Sequence, residues 1–295
     1  MPTERWTVGD VTITKVVELE FWTSHDFFDE MLPLSSRAEI EALDWLTPDY
    51  VRNGEDHIGV YSFLVETPSR KVVVDTGVGN FKTRVAEVWN QLDTDYLKNF
   101  RDVWEPADVD VVVSTHLHVD HVGWNTKLVD GQWVPTFPNA AHHLIEREFT
   151  HWQKLADDND SVHPFLDAVS VFNDSVRPIV DAGLAKFVEP DSAITPEVAL
   201  IPSHGHTPGH VSVLVESNGD SAVITGDLMH APCQIGHPEW SNLYDTDQAA
   251  AADTRRAFLE RFADTETLVI GTHFGTPTGV HVHRDGAAFR LSPAG

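Results

Sequence analysis

Three histidines and an aspartate fall within six residues in His116-Leu117-His118-Val119-Asp120-His121, directly after Val111-Val112-Val113 and Ser114-Thr115. Imidazole and carboxylate are ligands for divalent metal ions, with zinc first and manganese, cobalt or iron able to use the same donors. In an extended segment His116 and His118 point the same way and can reach one ion. A turn after them swings Asp120 and His121 toward a second. Three more candidates lie downstream, each where an apolar, strand-like run meets a glycine-containing turn. His210 closes Gly205-His206-Thr207-Pro208-Gly209-His210, Asp227 ends Ala222-Val223-Ile224-Thr225-Gly226-Asp227, and His273 ends Leu268-Val269-Ile270-Gly271-Thr272-His273.

From about Ile58 to His273 the order of these motifs resembles the metallo-β-lactamase-fold hydrolase superfamily. Asp75, in Val72-Val73-Val74-Asp75-Thr76-Gly77, comes first, then the HxHxDH run, then His210, Asp227 and His273. The resemblance implies a first metal held by His116, His118 and His210, a second held by Asp120, His121 and His273, and Asp227 bridging them. Asp75 would orient ligand-bearing loops by hydrogen bonding without touching metal. His206 lies inside its motif but before the expected ligand, and is read as stabilising the turn. His230, three residues after Asp227, stands where the lactonases of this superfamily place a substrate-polarising tyrosine, and is read either as a hydrogen-bond donor to substrate or as a purely structural side chain.

The implied chemistry is hydrolysis without a protein nucleophile. Two ions would lower the pKa of water toward neutrality and polarise the electrophilic oxygen, and Asp120 would help move the proton to the leaving group. No G-x-S-x-G elbow is present, and Cys233 is the single cysteine, so neither a serine nucleophile nor an intrachain disulfide is expected. The context Val122-Gly123-Trp124-Asn125 and Gly131 to Asn139 looks like the branch of lactonases, carboxylesterases and organophosphate hydrolases, which implies a small apolar ester or lactone as substrate. Phosphotriester hydrolysis, glyoxalase II-like thioester hydrolysis and a silent metal-binding module are the alternatives. A flavodiiron redox protein is disfavoured by His118, where that group uses glutamate.

The formal net charge is −26, from 46 acidic and 20 basic residues. Such a surface repels polyanions and argues against nucleic-acid processing, which needs basic residues to track phosphates. No apolar run approaches the roughly 20 residues that span a bilayer, and the first residues read as polar strand, so neither a membrane span nor a signal peptide is expected and the location is taken as cytoplasmic. A homodimer is the family-like expectation.

The elements that must position these residues alternate along the chain. Val8 to Val17 reads as a strand, Val60–Val65 and Lys71–Val74 as a hairpin around Pro68-Ser69, Phe81 to Asn99 as a helix, and Val111 as the start of the strand feeding the metal motif. Strands around Ala199–Ile201, Val211–Val215, Ala222–Thr225 and Leu268–Ile270 follow, with a helix over Thr254–Phe262. Strand, helix and metal-bearing turn in this order define an α/β chain, and the resemblance implies one domain over 1–295 built as a four-layer αβ/βα sandwich. Two segments, 20–57 and 140–184, read as additions to the sandwich: the first is expected to line a substrate pocket, form a dimer surface or pack on the scaffold, and the second to cap the site and select substrate. The second is expected to be helical, with Phe149, Trp152 and Leu155 and then Phe165, Val169, Phe172 and Val176 facing inward.

Overall fold

Val72-Val73-Val74 and Val111-Val112-Val113 offer no polar face, so strands built from them must be covered on both sides. They are. In the computed structural model, which describes residues 4–24, 30–161, 163 and 165–294, Val72, Val74, Val111 and Val113 point inward against Val211, Val213, Ile224 and Ile270 of a second sheet. Val73 and Val112 point outward onto Tyr96 and Phe100 of the helix Tyr96–Arg101. On the far side, Val223 and Val269 pack against Phe258, Leu259 and Phe262 of the helix Gln248–Phe262. Helix, sheet, sheet and helix are thus the four layers of the expected αβ/βα sandwich. Each fully buried valine or leucine contributes on the order of 1.5–3 kcal/mol.

The first sheet contains β1 (Arg5–Val8), β2 (Val11–Ser24), β3 (Val51–Arg52), β4 (Glu55–Glu66), β5 (Lys71–Val74) and β6 (Val111–Val113). After a separate hairpin, β7 (Thr126–Val129) and β8 (Gln132–Pro135), it is completed by β9 (Ala141–Ile145) and β10 (Ala185–Val188). The order is β1-β2-β4-β5-β6-β9-β10, with β3 on β4. The second sheet runs in chain order: β11 (Val198–Pro202), β12 (Val211–Ser217), β13 (Asp220–Ile224), β14 (Leu268–Ile270), β15 (Gly279–Asp285) and β16 (Ala288–Pro293). Its one parallel pair is β13–β14, matched in the first sheet by parallel β5–β6, β6–β9 and β9–β10. The carboxyl ends of β5, β6, β13 and β14 carry Asp75, the HxHxDH run, Asp227 and His273.

Three expectations need correction. The helix over Phe81–Asn99 reduces to a 3₁₀ turn at Glu87–Trp89 and the helix Tyr96–Arg101. Side chains outcompete helical hydrogen bonding there: Asn80 Oδ1 accepts from the Thr94 amide and Asn90 Oδ1 from the Arg84 amide, while Phe81 and Gln91 adopt left-handed φ. The strand over Val8–Val17 is interrupted by a turn at Gly9-Asp10 and then extends to Ser24, so residues 20–24 belong to the sheet, with Trp22 opposite His57. Residues 141–145 are likewise the strand β9. Phe27 and Phe28 of the first segment lie outside the described residues. Beyond β9 the second segment is helical as expected, over Glu146–Asp157 and 168–181. Among the described residues no helix is long and apolar enough to cross a membrane.

Candidate metal centre

Four histidines of the centre, His116, His121, His206 and His273, have one ring nitrogen tied to the scaffold, which leaves the other to face inward. Asp75, in a left-handed conformation at the end of β5, receives the Thr115 amide on Oδ1 (2.8 Å) and both the Thr115 hydroxyl (2.8 Å) and His121 Nδ1 (2.9 Å) on Oδ2. Thr115 Oγ1 lies 3.0 Å from His116 Nδ1. His273 Nδ1 donates to the Gly59 carbonyl (2.8 Å), and His206 Nδ1 donates to Asp245 Oδ1 (2.8 Å). Such anchors fix tautomer and ring orientation.

The inward atoms form two groups. His116, His118, His206 and Asp227 have ligand atoms within 4.8 Å of one another, and so do Asp120, His121 and His273. His206 Nε2 and His118 Nδ1 are 2.9 Å apart. Asp227 stands between the groups. Its Oδ1 lies 3.2 Å from His121 Nε2 and 3.1 Å from His273 Nε2, while Oδ2 lies 3.5 Å from His206 Nε2 and 3.7 Å from His116 Nε2. Asp120 reaches His121 and His273 Nε2 at 3.5 and 3.6 Å.

The donor set fits divalent metal. Nε2 of His116, His118 and His121 and Oδ1 of Asp227 are buried without a hydrogen-bond partner among the described residues, and each such group costs about 1–3 kcal/mol if left unmet. Burial holds His116, His118 and His206 well below the ordinary imidazole pKa, the neutral form that a metal requires. For His121 and His273, burial is again the largest influence and pulls downward. The surrounding carboxylates, Asp227 foremost, together outweigh it, raising His121 well above its usual range and His273 to about 9. Asp227 is pushed up by burial, yet the facing histidines, led by His121, bring it well below the usual carboxylate range. Divalent cations would replace these protons as the counter-charge.

The resemblance implies His210 in the first group, and the structure brings His206 there instead. Both ring nitrogens of His210 are engaged: Nδ1 donates to the Ser203 carbonyl (3.0 Å) and Nε2 accepts the Asp227 amide (2.8 Å). No lone pair remains for a metal. His210 positions Asp227, and Gly226 at φ 57° makes this possible, since a Cβ there would lie 2.5 Å from His210 Nε2. In Gly205-His206-Thr207-Pro208-Gly209-His210 both histidines follow glycine, so spacing alone cannot choose between them. His210 leads directly into β12 and is drawn into the scaffold, whereas His206 occupies the buried turn of the loop that faces the centre.

His230 lies against the centre and in the pocket. Its Nε2 is 3.0 Å from Asp227 Oδ2, its Nδ1 has no hydrogen-bond partner among the described residues, and its ring stacks parallel to His273. Asp245, a lone acid in a loop, carries no motif signal in the sequence. Asp245 is buried, bonds His206, and faces fully buried Arg255, whose guanidinium also donates to the carbonyls of Leu228, Pro238 and Trp240. We expect Asp245→Asn to weaken binding of one metal ion about 10–100-fold, the usual cost of losing a carboxylate behind a ligating histidine, as checked by competition with a chromophoric chelator.

Above the centre opens a pocket whose remaining lining is almost wholly apolar, including Phe21, Met31, Ile58, Val60 and Leu166. Trp89, Phe165 and Tyr244 form one wall, with Phe165 edge-on to Trp89 at 5.5 Å and stacked on Tyr244 at 4.9 Å. Both proposed additions reach it, through Phe21 and Met31 from the first and Phe165 and Leu166 from the second. Trp89 falls in the apolar spacing that predicts a helix, and Tyr244 in no pattern at all, so neither is marked as pocket lining by the sequence.

This chain belongs to the metallo-beta-lactamase superfamily, whose model matches residues 56–286. An N-acyl homoserine lactonase of a Bacillus species is 25% identical over 178 residues, 56% of this chain and 61% of the relative. The N-acyl homoserine lactonase AiiA of Bacillus thuringiensis subsp. kurstaki is 23% identical over 192 residues, 61% of this chain and 65% of the relative. The chain therefore spans a little under two thirds of the length of these relatives. Among solved structures, the hydrolase AbOPH of the beta lactamase superfamily superimposes with a TM-score of 0.81 at 24% identity, covering 99% of this chain and 97% of its own. AidC, a dizinc quorum-quenching lactonase, gives 0.79 at 20% identity, with coverage of 99% and 97%. At these identities the superpositions establish a common fold.

Proposed function

We propose that this protein is a metal-dependent hydrolase that opens lactones or cleaves small apolar carboxylic esters, with two divalent ions, zinc first among them, held by the two residue groups. The observation that carries the reading is the arrangement of the two donor groups, bridged by Asp227, on the floor of an otherwise apolar pocket. Divalent ions there would supply Lewis acidity toward the substrate carbonyl and bring the pKa of bound water toward neutrality.

The protein's own part is to bind, orient and handle the proton. Water adds to the carbonyl carbon, the bond to the ring or ester oxygen breaks, and the leaving alkoxide needs the proton that the water gave up. Asp120, which lines the pocket through the same carboxylate that faces His121 and His273, is placed to carry that proton. His230, also lining the pocket, can hydrogen-bond the substrate oxygen through a ring nitrogen. The wall of Trp89, Phe165 and Tyr244 would hold an acyl chain or an aryl leaving group and exclude bulk water, as small-molecule sites with few polar groups do. The lactonase relatives support the lactone form of this reading, and a neutral aryl triester would suit the same lining.

Acid release followed in a pH-stat separates the substrates. γ- and δ-lactones, acyl-homoserine lactones, aryl esters, thioesters and a paraoxon-type triester would each be offered to the zinc-loaded protein. Lactone or carboxylic ester turnover is the expected result; turnover confined to the triester or thioester would overturn the substrate assignment. Phe165→Ala is expected to raise KM for long-chain acyl lactones about 10–100-fold, the equivalent of about 1.5–3 kcal/mol of lost apolar burial, and to leave short-chain substrates much less affected, as steady-state kinetics across a chain-length series would show.

A further inference from the structure

Helix Glu146–Asp157 belongs to the segment that lines the pocket through Phe165 and Leu166, yet its third residue does not line it. Glu148 is buried and lies beneath the first donor group. Its Oε1 accepts the amide of Leu117 (3.2 Å), the residue between His116 and His118, together with the indole N–H of Trp152 (2.5 Å). Its Oε2 accepts the amide of Gly209 (2.7 Å), three residues beyond His206. Gly209 approaches so closely that a Cβ there would meet Glu148 Cβ at 2.6 Å. Trp152, one turn along the same helix, sets its ring edge-on to His118 at 5.0 Å.

We infer that Glu148 is a positioning residue that ties the two loops supplying His116, His118 and His206 into one donor group, so that the pocket-lining segment also assembles the first metal site. This rests on the reading of that group as a metal site. Three imidazoles from two distant loops converge on one ion only if the loops hold a fixed separation; the Val211 amide on the Thr115 carbonyl (3.1 Å) sets it at the base of the loops, and a single carboxylate bonded to an amide from each sets it beside the histidines. The remaining sides of the His206 loop are held separately, by Asp245 at the ring and by the Thr246 amide on the His206 carbonyl (2.9 Å). Glu148 is the tie that faces the HxHxDH run.

Glu148→Gln tests this with little change in size. An amide has one acceptor oxygen, so either Gly209, or Leu117 and Trp152, must face its N–H₂ group, donor against donor. Cobalt(II) titration of the chelator-stripped protein reads the result. Wild type should take up two equivalents; E148Q should bind one of them about 10–100-fold more weakly, with an altered ligand-field absorption for that ion. Glu146→Gln, an exposed neighbour on the same helix, should match wild type. Equal affinities and spectra for E148Q and wild type would overturn the proposal, as would equal weakening in E146Q, which would make the effect one of helix charge. Failure of both E148Q and Glu148→Asp to fold in chelator, judged by circular dichroism, would also overturn it, because Glu148 would then be required for folding in general. Wild type that binds no cobalt would instead remove the metal-site reading beneath it.

Discussion

His206→Ala is expected to lower tightly bound metal from two ions per chain to one and to reduce kcat/KM by at least about 1000-fold, roughly 4 kcal/mol of transition-state stabilisation. The reason is geometric. His206 Nε2 lies 2.9 Å from His118 Nδ1 and 3.5 Å from Asp227 Oδ2, at the convergence of the first donor group. His210→Ala makes the informative contrast. That ring accepts the Asp227 amide and donates to Ser203, so its loss leaves a buried backbone donor unmet, at a cost of about 1–3 kcal/mol in folding stability, while the ligand atoms of both groups survive. Metal analysis of the two purified variants, paired with thermal denaturation, distinguishes them. Loss of an ion from H210A with two ions retained in H206A would return the first group to the assignment drawn from the sequence.

Asp227→Ala should have the larger effect, because its two carboxylate oxygens serve both groups at once. One faces His121 and His273, the other faces His206, His116 and His230. Removing it leaves six imidazoles, those of His116, His118, His121, His206, His230 and His273, around a site where Asp120 is the remaining inward-facing carboxylate among the described residues, since Asp75 and Asp245 hold the outer ring nitrogens of His121 and His206. Neither ion is expected to be retained through gel filtration, and turnover should fall by about 10⁴-fold or more. Asp227→Asn keeps the shape but not the charge, and should resemble the alanine variant. Two ions retained in D227N with activity within tenfold of wild type would show that the bridge is dispensable.

The sequence carried the fold because the features that define it are local. Unbroken valine runs at 72–74 and 111–113 announce strands covered on both faces, and the motif residues sit at the ends of such runs. Six of the seven residues that converge at the candidate centre were legible for the same reason: His116, His118, Asp120, His121, Asp227 and His273 each follow an apolar strand closely. His206 was not, since it sits in a loop between two strands where two glycine–histidine pairs compete, and only the three-dimensional path decides which ring turns inward. Asp245 and Glu148 act across long sequence separations on histidines and amides of other loops, and nothing in their neighbours marks them. The helix expected over 81–99 failed through side-chain competition: the apolar spacing of Val85, Val88 and Trp89 is real, but Asn80 and Asn90 satisfy the backbone in a loop, leaving Val85 and Val88 exposed.

The central claim is that hydrolysis depends on metal held by these seven donors, His116, His118, His206, Asp227, Asp120, His121 and His273. The most direct measurement is acid release from an acyl-homoserine lactone by protein stripped with chelator and then titrated with zinc. Activity should be lost on stripping, return with added metal and level off at two equivalents per chain. Full turnover in protein holding less than about a tenth of an equivalent, an amount too small to sustain a metal-dependent rate, would contradict it.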